Sequence, residues 1–285
     1  PSINKIKKES MIKVINGGTD VLVLRPDNTT NIIKNFIPRW QDDLTLKLFY
    51  NSTVYRNNPH SNIKEIRQVG IEYLGEPSNK ADKEVLALAL KVFKEFSLKN
   101  GGSDKTQGCT PTKNKFLLEV SNSKYIQGLF MDLNIKENEK EYLKNLIFRK
   151  NKFGLESYVG SLNLPPRIKN CLLNIFNLQG SIHEIATKTY DNYVNKTMEE
   201  GVQDLLYLEG FLKEAGYLDN ICFDLSLMTE LDYYDGIIFK GYFQNSFKEI
   251  LSGGRYDSFT MDFGQKVPAI GFSLDLDELV QSANK

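Results

Sequence analysis

Histidine, tryptophan and cysteine are scarce in this chain of 285 residues, which holds two, one and three of them. His60 and His183 each stand without a second histidine nearby, so a histidine-ligated metal is not expected. Cys109, Cys171 and Cys222 are an odd, widely spaced trio with no C-x-x-C, which argues against a disulfide framework or a zinc site and suits a reducing cytoplasm. No apolar run approaches the roughly 20 residues that span a bilayer, and the start PSINKIKKES lacks the apolar segment of a signal peptide. A surplus of charge is also missing. Lys+Arg and Asp+Glu are balanced at 36 each, so no overall basic field exists to gather nucleic acid. What is present is 41% hydrophobic content, enough for one large domain or two smaller ones.

Met11 to Leu24 predicts a hairpin, because the β-branched runs MIKVI and VLVL flank Asn16, Gly17 and Gly18. The charged start leads straight into this pattern, which creates the expectation that part of the natural chain precedes it. Thr29 to Trp40 predicts a helix. Leu44 to Arg56 and Ile63 to Gly75 then predict a second hairpin about a polar tip, Asn57 to Asn62. From Ala81 to Leu98 the period becomes helical, with Asp82 as a cap and Val85, Leu88, Val92 and Phe96 on one face. Asn100 to Lys115 reads as loop; its GGSDKT lacks the glycine directly before lysine that a phosphate-binding loop requires. Glu119 to Gly216 reads as mostly amphipathic helix, punctuated by Pro165-Pro166 and Gly180. ICFDLSL, GIIFKGYF, FKEILSG and Ala269 to Leu274 return to strand composition before a terminal helix.

Side chains alternate faces along a strand, so Gln68, Gly70 and Glu72 share one face. Gly70 leaves space between an amide and a carboxylate, and the preceding strand ends in Arg56. Such a group offers acceptors for an ammonium and a donor for a carboxylate, as a zwitterionic amino acid needs. An ordinary solvated stripe on a half-buried sheet would produce the same pattern.

Four segments together resemble the histidyl-tRNA synthetase family: Arg25-Pro26-Asp27-Asn28-Thr29, Tyr55-Arg56, Gln68-Val69-Gly70-Ile71-Glu72 and Leu231-Asp232-Tyr233-Tyr234. In that family the corresponding R-P-E-G-T, F-R, Q-x-G-x-E and L-D-Y-Y segments surround the substrate histidine. The resemblance implies a class II aminoacyl-tRNA synthetase-like α/β (α+β) domain over 1–285, with a mostly antiparallel sheet and flanking helices. Its discontinuous sheet would come from about 11–98 and 219–285, with a helical insertion at about 119–216, and no anticodon-binding domain is expected. It also implies that Asp27, Thr29 and Gln68 contact the α-amino group, that Arg56 belongs to the same histidine site, and that Glu72 with a tyrosine of the Tyr233-Tyr234 pair holds the imidazole. Tyrosines adjacent on a strand face opposite sides, so one of the two is expected to reach the ligand.

The positions that would grip ATP depart from that family. Its arginine two places before L-D-Y-Y is Thr229, the acid of F-R-x-E is Asn58, the basic residue opening R-Y-R-Q-F is Asn62, and Glu278 stands where G-L-E-R-L has arginine. An anion facing phosphates repels them, so adenylate formation is not expected. R-P-D, the F-x-G-Y of Phe239 to Tyr242, and D-E-L after the P-A-x-G-F of Pro268 to Phe272 resemble instead the family's regulatory branch, which serves ATP phosphoribosyltransferase in histidine biosynthesis. That resemblance implies a non-catalytic subunit without cofactor or metal. It implies pairing with a short-form catalytic subunit in a hetero-octamer built on homodimers, with histidine as ligand, in the cytoplasm, without membrane or nucleic-acid partners. The alternatives are a histidyl-tRNA synthetase catalytic fragment and a synthetase-like RNA-binding module. Gly253 to Asp257 reads as a structural turn in which Arg255 pairs with Asp257 or Asp27.

Overall fold

The computed structural model describes residues 11–283 except 16, 19, 59–60, 101–115, 191, 230–232 and 244–247, and all their side chains but those of 58, 61, 62, 98–100 and 283. The expected loop 100–115 beyond Asn100, together with His60, Cys109, Leu231 and Asp232, therefore lies outside the described residues, as do the side chains of Asn58 and Asn62. The chain divides into two compact units, one of Pro1–Phe116, Glu230–Tyr234 and Lys240–Lys285, the other of Leu117–Thr229 and Asp235–Phe239.

The first unit begins with strands β1 (Lys13–Ile15) and β2 (Val21–Val23), an antiparallel ribbon with Lys13 opposite Val23. Helix α1 (Thr29–Phe36) follows and runs into a 3-10 turn over Ile37–Arg39. Asp27 Oδ1 accepts from the Thr30 amide at 2.6 Å, satisfying one of the free N–H groups at the helix start. Strands β3 (Leu46–Asn58) and β4 (Ser61–Leu74) form the long hairpin, running further into the tip than the sequence predicts. Their register sets Leu48 against Glu72, Tyr50 against Gly70 and Ser52 against Gln68, with an irregularity between Arg56 and Asn58.

Helix α2 (Asn79–Asn100) starts before Asp82, so Asp82 does not cap it; the Asp82 carboxylate accepts from Arg255 Nε at 2.9 Å. Its buried face is Ala81, Val85, Leu86, Ala89, Leu90 and Phe93, while Leu88 is exposed. The expected stripe through Leu88 has the same helical spacing on a different phase. Alanine and leucine alternate here on both sides of the helix, and tertiary packing selects the side.

The second unit opens with strand β5 (Phe116–Asn122), of which Leu117 onward belongs to it, and helices α3 (Ser123–Met131), α4 (Glu137–Phe148), α5 (Lys152–Ser161) and α6 (Pro166–Asn174). Strand β6 (Gln179–Gly180), helices α7 (Ile182–Thr189) and α8 (Lys196–Glu214), and strand β7 (Ile221–Asp224) complete it. Asn122, Asn151 and Asn195 cap α3, α5 and α8 through their side-chain oxygens, and Pro166 opens α6, where its missing N–H is harmless. The helical expectation for 119–216 is corrected in two places. β5 pairs parallel with β7, Leu118 opposite Ile221, and β6 pairs antiparallel with β7, Gln179 opposite Asp224.

Strand β8 (Ile237–Phe243) contributes its last four residues to the first unit, which β9 (Leu251–Arg255), β10 (Ala269–Asp275) and α9 (Leu276–Ala283) finish. The strand order in the first unit is β3-β4-β10-β9-β8, with β10 antiparallel to both β4 and β9. A core of Ile33, Ile37, Leu74, Tyr233, Tyr256, Phe259, Val267 and Ala269 packs α1 and the 3-10 segment Asp257–Phe263 together, with the rings of Tyr233 and Phe259 stacked at 4.6 Å. Each fully buried large apolar side chain contributes roughly 1.5 to 3 kcal/mol. Arg255 ties the turn after β9 to α2: besides Asp82 it reaches Asp257 Oδ1 at 3.3 Å and the Ser78 carbonyl at 3.2 Å, which leaves Asp27 with other partners. Among the described residues no helix is long and apolar enough to cross a membrane.

Candidate ligand site

Glu72 sits near the end of β4, 2% exposed, opposite Gly271 of β10. A Cβ at Gly271 would collide with Glu72 Oε2, so glycine there is what allows the carboxylate to lie across β10. Thr29 Oγ1 donates to Glu72 Oε1 at 2.6 Å, and the Tyr256 hydroxyl donates to Oε2. Burial raises the Glu72 pKa to about 7; the two hydroxyl donors pull it back only in part, and the nearby charge of Asp27 pushes it further up.

Asp27 is the second buried carboxyl. Its Oδ1 is taken by the Thr30 amide, whereas Oδ2 is buried with no hydrogen-bond partner among the described residues. Burial pushes its pKa up, against the Thr30 hydrogen bonds and the charge of Arg56. A buried acceptor without a donor is costly, by about 1 to 3 kcal/mol, unless something else supplies the proton or the charge. Gln68 is buried beside this segment and accepts from Asn28 Nδ2 at 3.4 Å. Arg56 donates from Nε to the Pro26 carbonyl at 3.1 Å, and the Tyr55 amide donates to the Arg25 carbonyl at 2.8 Å, so β3 holds the segment before α1 in place.

Asp27, Thr29, Gln68, Glu72 and Arg56 thus fall around one segment, with Arg56 bonded to its backbone instead of to either carboxylate. Tyr233 and Tyr234 precede β8 and are not on a strand. Their rings lie 4.7 Å apart and both pack on Tyr256, at 5.5 and 6.3 Å, so the expectation that they face opposite sides is corrected. Burial drives the pKa of both phenols upward, and the two are hydrogen-bonded to each other.

The space above Gly70 is also corrected. Tyr50, its cross-strand partner, fills it: a Cβ at Gly70 would meet the Tyr50 phenol and, at 2.6 Å, the Phe272 carbonyl. The Tyr50 phenol has its pKa raised well above the ordinary value by burial and by the charge of Glu72, with Thr29 as a hydrogen-bond partner. Tyr50, Tyr256, Asn28 and Gly271 are site residues that the sequence reading missed. Tyr256 and Gly271 lie inside segments read as structural, and Tyr50 is visible only through the hairpin register.

Glu278, where an ATP-gripping arginine would stand, is buried in the first turn of α9. Lys248 Nζ donates to it at 2.8 Å and Lys64 Nζ at 3.5 Å, while Lys64 also lies 3.6 Å from Asp275. Burial pushes the Glu278 carboxyl up, yet the two ammonium groups outweigh it and hold the pKa below the usual value. The expected bare repulsive anion is therefore replaced by a locally compensated cluster.

The chain matches the histidyl-tRNA synthetase family model over residues 3–279. It is 33% identical over 280 residues to the ATP phosphoribosyltransferase regulatory subunit of Clostridium acetobutylicum, an alignment covering 96% of this chain and 65% of that protein. A solved ATP phosphoribosyltransferase regulatory subunit/histidyl-tRNA synthetase from Bacillus halodurans superposes with a TM-score of 0.83 and 26% identity, covering 99% of this chain and 70% of that one. The ATP phosphoribosyl transferase complex of Thermotoga maritima shares the fold, with a TM-score of 0.64 and 19% identity over 94% of this chain and 89% of that one. The chain spans about two thirds of the length of the curated relatives it matches.

Proposed function

We propose that this chain, which belongs to the histidyl-tRNA synthetase family and within it to the ATP phosphoribosyltransferase regulatory subunits, binds histidine and governs a catalytic partner without performing chemistry itself. The observation that carries the ligand is the acceptor surplus at the site: among the described residues, Oδ2 of buried Asp27 has no partner, and the hydrogen bonds to Glu72 beside it come from hydroxyls. In this reading the α-ammonium bonds Asp27, Thr29 and Gln68, and Arg56 turns to the ligand carboxylate. The imidazole N–H bonds Glu72 beside Tyr233 and Tyr234. An analogue without the ring N–H would leave a buried carboxylate unpaired, which is how such a site selects histidine.

The partner is a short-form ATP phosphoribosyltransferase catalytic subunit, in a cytoplasmic hetero-octamer built on homodimers of this chain. A chain of the ATP phosphoribosyl transferase complex of Thermotoga maritima shares the fold, which supports the pairing with a catalytic subunit. The first unit supplies the class II core and the second its helical insertion. Inhibition by histidine requires that occupied and empty pockets favour different states of the assembly. Titration calorimetry of histidine into the full-length protein, followed by gel filtration with the catalytic subunit, tests both halves. Saturable binding and co-elution with increased phosphoribosyl transfer are expected; a catalytic subunit equally active alone would sink the regulatory assignment.

A further inference from the structure

Taking Asp27, Glu72 and their neighbours as the amino-acid pocket proposed above, we infer that the empty site holds one proton between these two carboxyls and releases it when an ammonium-bearing ligand enters. Both groups are buried, at 5% and 2% exposure. Glu72 is faced by the hydroxyls of Thr29 from α1 and Tyr256 after β9, by the phenols of Tyr50 from β3 and of Tyr233 and Tyr234 before β8, and by Gly271 from β10. None of these is a cation. Asp27 is faced by the amide and hydroxyl of Thr30 and by the phenols of Tyr50, Tyr233 and Tyr234, and it feels the charge of Arg56, whose Nε is bonded to the Pro26 carbonyl. Among the described residues neither carboxylate makes an ion pair, and the hydrogen bonds they accept come from hydroxyls and a backbone amide. Two buried carboxylates that sense each other cannot both ionise cheaply without a paired cation.

The hydrogen-bond partners fit a group that changes state. Hydroxyls donate or accept, so Thr29 and Tyr256 satisfy Glu72 whether it is ionised or carries the proton. Asp27 differs, because the Thr30 amide can only donate to it, the Thr30 hydroxyl bonds it in the sense that favours the ionised form, and among the described residues its Oδ2 has no acceptor to receive a proton. The proton therefore resides on Glu72, and burial, which raises that group to about 7, agrees. A ligand ammonium at Asp27 Oδ2 supplies the missing positive charge, and the Glu72 proton leaves to solvent. Occupation then grows tighter as pH rises, by about tenfold between pH 6 and pH 8, and levels off above.

Calorimetry of 1,2,4-triazolylalanine and histidine at pH 6.5, in buffers of different ionisation enthalpy, reads the proton directly; the triazole keeps the ligand ring from titrating. Release of roughly three quarters of a proton per triazole ligand is expected, fading above pH 8. Binding without proton release would overturn the inference. Infrared spectra of the ligand-free protein give a second readout: a protonated-carboxyl band at pH 6, lost at pH 8 and missing from Glu72→Gln. Absence of that band in wild type would also overturn it. If the band titrates as expected but neither ligand binds, the amino-acid reading fails and the coupling to occupation fails with it.

Discussion

Tyr50 of β3 and Gly70 of β4 are cross-strand partners, and the phenol of Tyr50 occupies the space that Gly70 leaves by having no side chain. Glycine is needed there for close approach. The gap inferred from Gln68-Val69-Gly70-Ile71-Glu72 is real but is closed from within the hairpin, which places Tyr50 between the amide of Gln68 and the carboxylate of Glu72.

Gly70→Val should therefore destabilise the first unit and not merely block a ligand. Overpacking of this kind costs about 1 to 3 kcal/mol, and here the added carbons meet both Tyr50 and the Phe272 carbonyl. Combined with Tyr50→Ala it should cost less than the sum of the two single changes, because the added carbons then meet only one of the two obstacles. Urea unfolding of the single and double variants checks this; additive effects would mean that the two side chains do not share the space.

The hairpin itself was legible from alternation and turn residues, but its register was not. Folded about Asn58 opposite Ser61 without irregularity, it would set Tyr50 against Val69; the slip between Arg56 and Asn58 moves it to Gly70. Asp27, Thr29, Gln68 and Glu72, which the structure brings together, are legible as candidates because motif order survives in sequence. Tyr256 and Gly271 were passed over because a glycine-rich turn and a strand glycine read as scaffolding until β10 is known to pair with β4. Strand β5 was missed for another reason: seven residues of mixed pattern beside a long helical stretch carry little periodicity.

Glu72→Gln should stabilise the ligand-free protein at alkaline pH. A carboxyl whose folded pKa lies near 7 against 4.5 keeps its proton in the folded state where the unfolded chain has lost it. Wild-type stability thus falls as pH rises from about 4.5 to 7, by on the order of 3 kcal/mol, and the amide removes that loss. Denaturation midpoints should separate at pH 8 and converge near pH 4. The same variant should weaken histidine binding by about 1.5 to 3 kcal/mol, since a neutral amide cannot match a charge-assisted bond to the ring N–H.

Arg255→Met should be severely destabilising. It leaves the Asp82 carboxylate, 10% exposed at its side chain, without the guanidinium that holds it at 2.9 Å, and it removes one of two donors to the Ser78 carbonyl, which keeps the Ala81 amide. Removing one partner of a buried pair costs about 3 to 5 kcal/mol. The combined Arg255→Met and Asp82→Leu change should lose less than Arg255→Met alone, which chemical denaturation of the three proteins would reveal.

Glu278→Arg should neither create adenylate chemistry nor leave the fold untouched. The new guanidinium would face Lys248 and Lys64, which now donate to Glu278, and three cations would crowd the start of α9 beside Asp275. Thr229 also stands where the synthetases carry a second arginine, and groups that stabilise a transition state together are not restored one at a time. Histidine-dependent exchange of pyrophosphate into ATP should stay at the no-histidine background in wild type and variant alike, while the variant unfolds at a lower temperature. Exchange by the wild-type chain above that background would show that the ATP subsite is intact, and the regulatory reading would then have to give way to a synthetase one.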